Sequence, residues 1–287
     1  MKPSKTGKIR ENRVFHAINY ALLVLIILLC IVPFINVIAK SFSTQGKAVN
    51  FLPVDVTLYN YKYVFTTWPY FRAFFVSVGV TVLGTLLSVS VMFSAAYALS
   101  KEDFPGRKSI MVFFLIIMLF SGGIVPNFFV MKLLGLLNTP FALIFPSVVQ
   151  VFNLILLKNY LEGVPKEIEE SALIDGAKNV QVMFRILLPI SLPSIASVAL
   201  FTAVTYWNSY FSALLYLPNA EAWHPLAMYI LNYINSSPDV LGDQMLFRQK
   251  EYIEMAMVIV SIIPILAIYP FVTKFFVKGV TVGSVKG

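Results

Sequence analysis

Residues 73–100 read AFFVSVGVTVLGTLLSVSVMFSAAYALS, a run between Arg72 and Lys101 that contains no Asp, Glu, Lys or Arg. A helix of about 20 apolar residues crosses the roughly 30 Å hydrocarbon layer of a bilayer, so this stretch predicts a membrane span. Small residues such as Gly79 and Gly84 are typical of helices that pack closely within membranes.

Five further long runs are free of charged residues: 14–39, 109–131, 133–157, 186–220 and 255–273. Of the 287 residues, 58% are hydrophobic and 13% are charged. Soluble domains carry about 25% charged residues, so half of the usual charge is missing. The sequence therefore predicts an all-α polytopic membrane protein with six transmembrane helices embedded in a lipid bilayer.

The first run, residues 14–39, follows a basic segment, residues 1–13, and this combination also begins secretory signal peptides. The run is far longer than a signal-peptide core, which has roughly 7–15 residues. No small-x-small cleavage site follows Pro33. We therefore expect an uncleaved first transmembrane helix.

The distribution of basic residues predicts the orientation, because cytoplasmic loops are enriched in Lys and Arg. With a cytoplasmic N-terminus, the inner segments 1–13, 101–108, 158–185 and 274–287 hold 15 of the 22 basic residues. Both termini are then cytoplasmic, and residues 40–72 and 218–253 are extracytoplasmic. The net charge of +8 divides into +7 inside and +1 outside. The excess of basic residues is therefore explained by the membrane orientation of the chain, and no nucleic-acid partner is expected.

Several functions are disfavoured by what the sequence lacks. The charge-free runs hold no buried acid or base of the kind that proton-coupled transporters use, and no paired helices broken by Gly or Pro are evident in them. There is no GxxxxGK[ST], HExxH or GxSxG motif, and neither His16 nor His224 has a partner at ligand spacing. No catalytic residue and no metal site are predicted. Uphill transport would therefore draw its energy from another chain, with a self-sufficient secondary transporter or channel as the alternative.

The longest predicted cytoplasmic loop is KNYLEGVPKEIEESALIDGAKNVQVMFR, residues 158–185. Pro165 suits the first helical position, and the glutamates after it face the positive end of the helix. Gly176 supplies a turn, after which Val180 and Phe184 share one face of a second helical stretch. We expect two short helices across the inner face of the membrane, although a plain solvated loop is the alternative.

This loop resembles the EAA signature of bacterial ABC importer permeases, which reads EAA-x-x-DGA and continues, after a hydrophobic run, to I-x-LP. The matching residues are Glu170-Ser171-Ala172, Asp175-Gly176-Ala177 and Ile186-x-Leu188-Pro189, with Ser171 in place of the first alanine. Other segments are similar to the MalG-like carbohydrate-uptake branch: Leu58-Tyr59-Asn60-Tyr61, residues 93–99, Trp207-Asn208-x-Tyr210 and residues 276–287. Residues 120–126 and 134–140 look like a subgroup that handles larger oligosaccharides.

The resemblance implies the architecture of a type I ABC importer permease, with residues 73–287 as its core and residues 158–190 as the loop that couples it to ATP hydrolysis. It also implies two copies of a cytoplasmic ATPase, which bind ATP and Mg while this chain binds no cofactor. The system is completed by a second permease and an extracytoplasmic solute-binding protein. Its substrate is a sugar, expected to be an oligosaccharide. The location is the bacterial cytoplasmic membrane, and the chain is a transport subunit without enzymatic activity. A permease for a non-sugar solute is the alternative within the family.

The resemblance also assigns roles to particular residues. The residues expected to contact the ATPase through the coupling loop are Glu169, Glu170, Ser171, Ala172, Asp175, Gly176, Ala177 and Pro189. The tail, residues 274–287, is expected to reach the ATPase through Lys278, Gly279 and Gly283.

The solute pathway is predicted from an aromatic and polar cluster in the fifth run, formed by Tyr206, Trp207, Asn208 and Tyr210. Aromatic faces and amides are suited to holding sugars. An amide such as Asn208 is costly against lipid, so it is expected to face protein or a cavity. The alternative is that Asn208 bonds a neighbouring helix and the aromatic rings pack between spans.

Overall fold

The fold is described from a computed structural model, which describes residues 13–44, 51–120, 122–236 and 244–283. Within these ranges the structure is helical, with connecting loops and no strand. The helices are α1 (Arg13–Ser41), α2 (Tyr59–Thr66), α3 (Trp68–Ser100), α4 (Arg107–Leu119), α5 (Ile124–Leu133), α6 (Phe141–Ile144), α7 (Val151–Glu162), α8 (Lys166–Ile174), α9 (Asn179–Gln181), α10 (Leu188–Ile190), α11 (Leu192–Trp207), α12 (Tyr210–Tyr216), α13 (Leu226–Asn235) and α14 (Gln244–Gly283).

Three helical stretches among the described residues are long and apolar enough to cross a membrane unaided: Phe15–Ser41, Trp68–Ser100 and Gln249–Pro270. Three bent pairs of helices raise the number to six if each pair is one span. Those pairs are α4 with α5, Phe141–Ser147 with α7, and Asn179–Ile190 with α11, bent by 116°, 50° and 80°. The chain is therefore an all-helical, multi-pass membrane protein.

The bent pairs differ from the continuous runs seen in the sequence, in which no broken helices were evident. Gly123 precedes α5 with a φ of 84°, a backbone conformation that favours glycine. Pro189 and Pro193 flank the third bend, and each lacks the N–H that a continuous helix needs. A run free of charged residues therefore does not require an unbroken helix.

The chain divides into two compact units, Met1–Val64 with Ser237–Ile259, and Phe65–Ser236 with Val260–Gly287. In the first unit, the Nδ2 of buried Asn60 donates to the carbonyls of Ser41 and Ser43 at 3.0 and 2.9 Å, which joins the start of α2 to the end of α1. The buried Lys40 side chain forms an ion pair with Glu251 of α14. From Phe15 to Ile35, α1 presents exposed, largely apolar side chains.

The second unit is built on α3, which packs against α7 and α11. Its fully enclosed side chains include Met92 and Ala96 of α3, Leu154 and Leu157 of α7, and Val198 of α11. Because these helices share one core, a displacement of α11 has to be accommodated by α3 and α7.

Helix α13 lies within the segment 218–253 that is predicted to be extracytoplasmic. Its residues Leu226, Met228, Ile230 and Tyr233 are buried. The Leu226 N–H donates to Ser77 Oγ of α3 at 2.7 Å. This bond satisfies a backbone donor at the start of α13, where the helix itself offers no acceptor. Helix α13 is thus packed within the second unit, against α3.

Candidate functional site

The expected pair of short helices in the loop after α7 is present. Helix α8 begins one residue later than predicted, because Pro165 is extended at ψ 129° and Lys166 is the first helical residue. Glu167 and Glu169 lie in the first turn, where a carboxylate is favoured by the exposed backbone N–H groups. Ser171 Oγ donates to the Glu167 carbonyl at 2.7 Å, so this small side chain folds back onto its own helix.

The Asp175-Gly176-Ala177 segment ends α8 in a Schellman motif. The Ala177 N–H donates to the Ala172 carbonyl and the Gly176 N–H donates to the Leu173 carbonyl, both at 3.0 Å. Gly176 has a φ of 85°, which strains any residue with a Cβ. A Cβ at Gly176 would meet no atom of the described residues within 4 Å, so its backbone conformation, and not lack of space, requires glycine.

The surface of α8 and of the segment after it is unusually apolar for a loop. No residue of α8, which the structure describes throughout, is buried. Ile174 is 86% exposed, and Leu173, Val180 and Phe184 are also exposed. Ala172 and Ala177 turn partly inward, against the core formed by α3, α7 and α11. Exposed apolar groups of this kind mark interaction surfaces.

The two glutamates of the predicted coupling site differ in environment. Glu169 forms an ion pair with Lys101, at the end of α3, and its side chain is only 18% exposed. Glu170 is exposed to solvent on the same helix. A carboxylate held by an internal cation is committed to the fold, whereas an exposed one is available to a second protein.

The second helical stretch of the loop comprises α9, a π-helical turn over Val182–Leu187, and α10. The Lys178 N–H donates to Gln181 Oε1 at 2.8 Å, and this side-chain acceptor caps the start of the stretch. Val182 and Leu187 are buried, while Pro189 is exposed just before the 80° bend into α11. Turns of π-helix are rare and frequently occur at functional sites.

Tyr206 of α11 is buried, and its described contacts are structural. Its hydroxyl lies 2.8 Å from Ser88 Oγ of α3 and donates to the Ile144 carbonyl of α6 at 3.0 Å. The Tyr206 ring packs against the backbone of Gly84, where a side chain would not fit because a Cβ would lie 2.7 Å from the ring. Tyr206 joins three helices, and its contact with solute stays a prediction.

Trp207, Asn208 and Tyr210 surround the end of α11. The Trp207 ring packs edge-on against Phe74 of α3 with centroids 6.0 Å apart. The exposed Asn208 donates from Nδ2 to the Val204 carbonyl at 2.9 Å, and Tyr210 is partly buried beside Tyr206. Asn208 is thus both a helix cap and a group that a ligand could reach.

Lys278, Gly279 and Gly283 of the predicted tail lie on α14, which continues to Gly283. The Lys278 side chain and residues 284–287 lie outside what the structure describes. Within the described ranges, no group of three or more His, Cys, Asp or Glu residues could hold a metal ion.

The sequence did not reveal the partners in two polar features. The first is a link across the core, in which buried Asn153 Nδ2 of α7 lies 2.6 Å from Gln150 Oε1 and 3.3 Å from Thr202 Oγ1 of α11. The second is a set of two ion pairs to α8, in which Lys101 pairs with Glu169 and Glu102 pairs with Lys166. The sequence contains a signal for the second feature. Lys101 and Glu102 are adjacent and oppositely charged, and Lys166 and Glu169 carry opposite charges three residues apart on α8.

Known proteins resemble the chain over nearly its full length. It is 42% identical to the polygalacturonan/rhamnogalacturonan transport system permease protein YtcP of Bacillus subtilis, covering 96% of this chain and 100% of that protein. It is 31% identical to the arabinooligosaccharides transport system permease protein AraQ of Halalkalibacterium halodurans, covering 90% and 92%. A solved structure of a bacterial ABC transporter involved in the import of alginate matches with a TM-score of 0.85 at 31% identity, covering 96% and 100%. No protein-family model matches.

The multi-pass helical fold, together with relatives that are named transport permeases, identifies the chain as a membrane transport subunit rather than an enzyme. Within that class, the chain belongs to the permease family of carbohydrate ABC importers. It is therefore a component of an ABC transport system. The resemblance expected from the EAA-like loop is confirmed by relatives that match almost the entire chain.

Proposed function

We propose that this chain is one of two permeases that line a single solute pathway in the cytoplasmic membrane of a bacterium. It crosses the membrane six times with both termini in the cytoplasm, as in type I ABC importers. Support comes from the three unbroken and three bent apolar helices of the described residues. The concentration of Lys and Arg in the inner segments supports the orientation.

Helix α8 is the element that engages the ATPase. The observation that carries this role is a short helix, ended by a Schellman motif, that presents exposed Leu173 and Ile174 to solvent. Glu170 is the coupling glutamate at its surface, and Ser171 and Ala172 keep the helix narrow enough to enter a cleft. Asp175, Gly176 and Ala177 form the turn on which its direction depends.

Movement of α8 is passed to the membrane through the segment that follows it. Gly176 joins α8 to α9, and the π-helical turn and α10 lead through Pro189 and the 80° bend into α11. Closure of the ATPase dimer on ATP moves α8 as a lever and tilts α11, which alternates the access of the pathway. ATP and Mg are bound by two ATPase subunits, and this chain binds no cofactor.

The transported solute is an oligosaccharide. Support comes from the relatives, whose names specify polygalacturonan/rhamnogalacturonan and arabinooligosaccharides, and from the structural match to an importer of alginate. Asn208 and Tyr210 contact the sugar at the end of α11, with Trp207 beside them and Tyr206 positioning the helix. An amide and aromatic rings provide the mixture of hydrogen bonding and apolar contact that sugar sites use.

The remaining partners follow from the same system. A solute-binding protein docks on the extracytoplasmic segments, residues 40–72 and 218–253, and delivers the sugar. Lys278, Gly279 and Gly283 at the end of α14 contribute a second contact with the ATPase.

Two measurements test this function. The tagged chain, purified in mild detergent, should retain a second permease of similar size and a Walker-motif ATPase, identified by mass spectrometry. The complex of the Gly176→Val variant should no longer contain the ATPase subunit. The control Gly135→Val should retain that subunit, although Gly135 has a similar φ of 69° and no described atom lies within 4 Å of a Cβ placed there. A stable complex without ATPase, reproduced in several detergents, would remove the basis of the proposal.

A further inference from the structure

We propose that the loop between α3 and α4, residues 101–106, is the anchor through which α8 moves α3. Lys101 and Glu102 act as positioning residues that hold α8 by two crossed ion pairs. The inference rests on the proposed role of α8 as the ATPase-coupling helix, and it adds a second route from that helix into the membrane, separate from the turn at Gly176.

The two ion pairs have opposite polarity. Lys101 pairs with Glu169, and Glu102 receives Lys166 Nζ at 2.9 Å. Lys166 and Glu169 lie three residues apart on one face of α8, while Lys101 and Glu102 are adjacent at the end of α3. A shift of α8 along its axis would bring like charges together, so the arrangement selects one register and one orientation of α8.

The pair between Lys101 and Glu169 is the stronger of the two. The side chains of Lys101 and Glu169 are 29% and 18% exposed, whereas Lys166 and Glu102 are 70% and 72% exposed. Lys101 Nζ also lies 4.5 Å from the centroid of the Tyr97 ring, a cation–π contact that restricts its position. A partly desolvated, geometrically restricted pair is less screened by salt than an exposed one.

The anchoring loop is itself attached to two membrane helices. Arg107 Nε, at the first residue of α4, donates to the Leu99 carbonyl at 2.8 Å and so holds the last turn of α3. The Arg107 guanidinium also pairs with Glu162 at the end of α7, and Lys158 Nζ lies 2.8 Å from the other Glu162 oxygen. Force applied to the loop is therefore delivered to α3 and α7 rather than absorbed by a flexible connection.

Apolar packing adds little to these contacts, because Ala172 and, just after the helix, Ala177 are only partly buried against the core. A cavity of about 710 Å³, lined by residues that include Tyr97, Phe104 and Glu170, opens between the loop and α8. No residue of α8, all of which is described, is buried. The ion pairs are consequently the main polar attachment of α8 to the end of α3, and removing them should weaken the coupling of the two helices without unfolding the core.

The test uses the purified complex of this chain with its partner permease and ATPase, and measures hydrogen exchange with and without ATP and vanadate. In the parent complex, ATP should change exchange in α8 and, by at least about threefold, in the last turns of α3. Lys101→Glu and Glu169→Lys should each abolish the change in α3 while α8 still responds. The double swap, Lys101→Glu with Glu169→Lys, should restore it, and the control Lys108→Glu should leave it unchanged.

The outcomes separate this inference from the proposed function. If α8 of the parent complex does not respond to ATP, the proposed function fails and the inference falls with it. If α8 responds but α3 does not, or if the single variants keep the response of α3, the anchor is refuted while the proposed function stands. Failure of the double swap to restore the response also contradicts the ion pair as its cause.

Discussion

Substitution of Ile174 by alanine separates docking from folding, because the structure leaves this side chain 86% exposed at the end of α8. Truncation of a side chain that is already in water has little effect on stability, and alanine is the better helix former. In the proposed complex with the ATPase, the same side chain becomes buried against that protein. Removal of its additional carbon atoms, at about 0.8 kcal/mol each, then weakens binding by about 2 kcal/mol, or roughly 30-fold.

The assay is titration of the detergent-solubilised permease pair with purified ATPase, together with a thermal melting curve of the permease alone. Ile174→Ala should weaken ATPase binding by about 30-fold and leave the melting temperature within about 2 °C. Leu52→Ala is the matched control, because Leu52 is also exposed, at 78%, but lies in the predicted extracytoplasmic segment. Unchanged affinity for Ile174→Ala, or equal loss in the control, would refute the assignment of α8 as the docking helix.

Three further predictions concern residues of the second unit. The Tyr206 hydroxyl bonds both Ser88 and the Ile144 carbonyl. Tyr206→Phe should therefore destabilise the chain by about 1 kcal/mol or slightly more, and its effect should be non-additive with Ser88→Ala in thermal melts. A Cβ at Gly84 would lie 2.7 Å from the Tyr206 ring, which those two hydrogen bonds hold in place. Gly84→Ala should consequently cost about 1–3 kcal/mol in the same melts, and full stability would contradict this packing. The ion pair with Lys166 lowers the pKa of Glu102, and that with Glu102 raises the pKa of Lys166. The contribution of this pair is therefore lost only as pH falls through the lowered pKa of the carboxyl or rises through the raised pKa of the amine. Hydrogen exchange of α8, corrected for the intrinsic pH dependence, should thus be constant from about pH 6 to 9 but rise with salt, and a change within that pH range would contradict the assignment.

The membrane helices were largely predictable because the bilayer imposes a simple rule. The run at residues 73–100 ends at the same residue as α3, and the helix begins five residues earlier, at Trp68, because Pro69 suits a first turn. The turn at Gly176 was also predictable, since a positive φ at a helix end strongly favours glycine. Both features depend on local sequence alone.

The breaks within spans were not predictable from the absence of charge. Nothing in the apolar composition of residues 186–220 distinguishes a straight helix from α10 and α11 joined at 80°. The bend depends on the backbone near Pro189 and Pro193 and on what the flanking helices pack against. Such breaks are tolerated where neighbouring helices satisfy the freed backbone groups, which is information about tertiary structure.

The site residues illustrate the same limit. An aromatic and polar cluster at Tyr206 indicates a pathway from sequence, but the contacts of its hydroxyl with Ser88 and Ile144 depend on residues 118 and 62 positions away. The ion pair of Lys101 with Glu169 likewise joins residues 68 positions apart. Local pattern identified α8 as a helix, whereas only the fold shows which of its glutamates is held internally.

Position-specific crosslinking from α8 tests the central claim most directly. A photoreactive amino acid at Ile174, introduced in the intact complex in native membranes, should crosslink to an ABC ATPase, identified by mass spectrometry of the product. The same group at Leu52 should not. A crosslink from Ile174 only to lipid or to another permease, with the complex otherwise intact, would contradict the account of α8 as the helix that receives the energy of ATP hydrolysis.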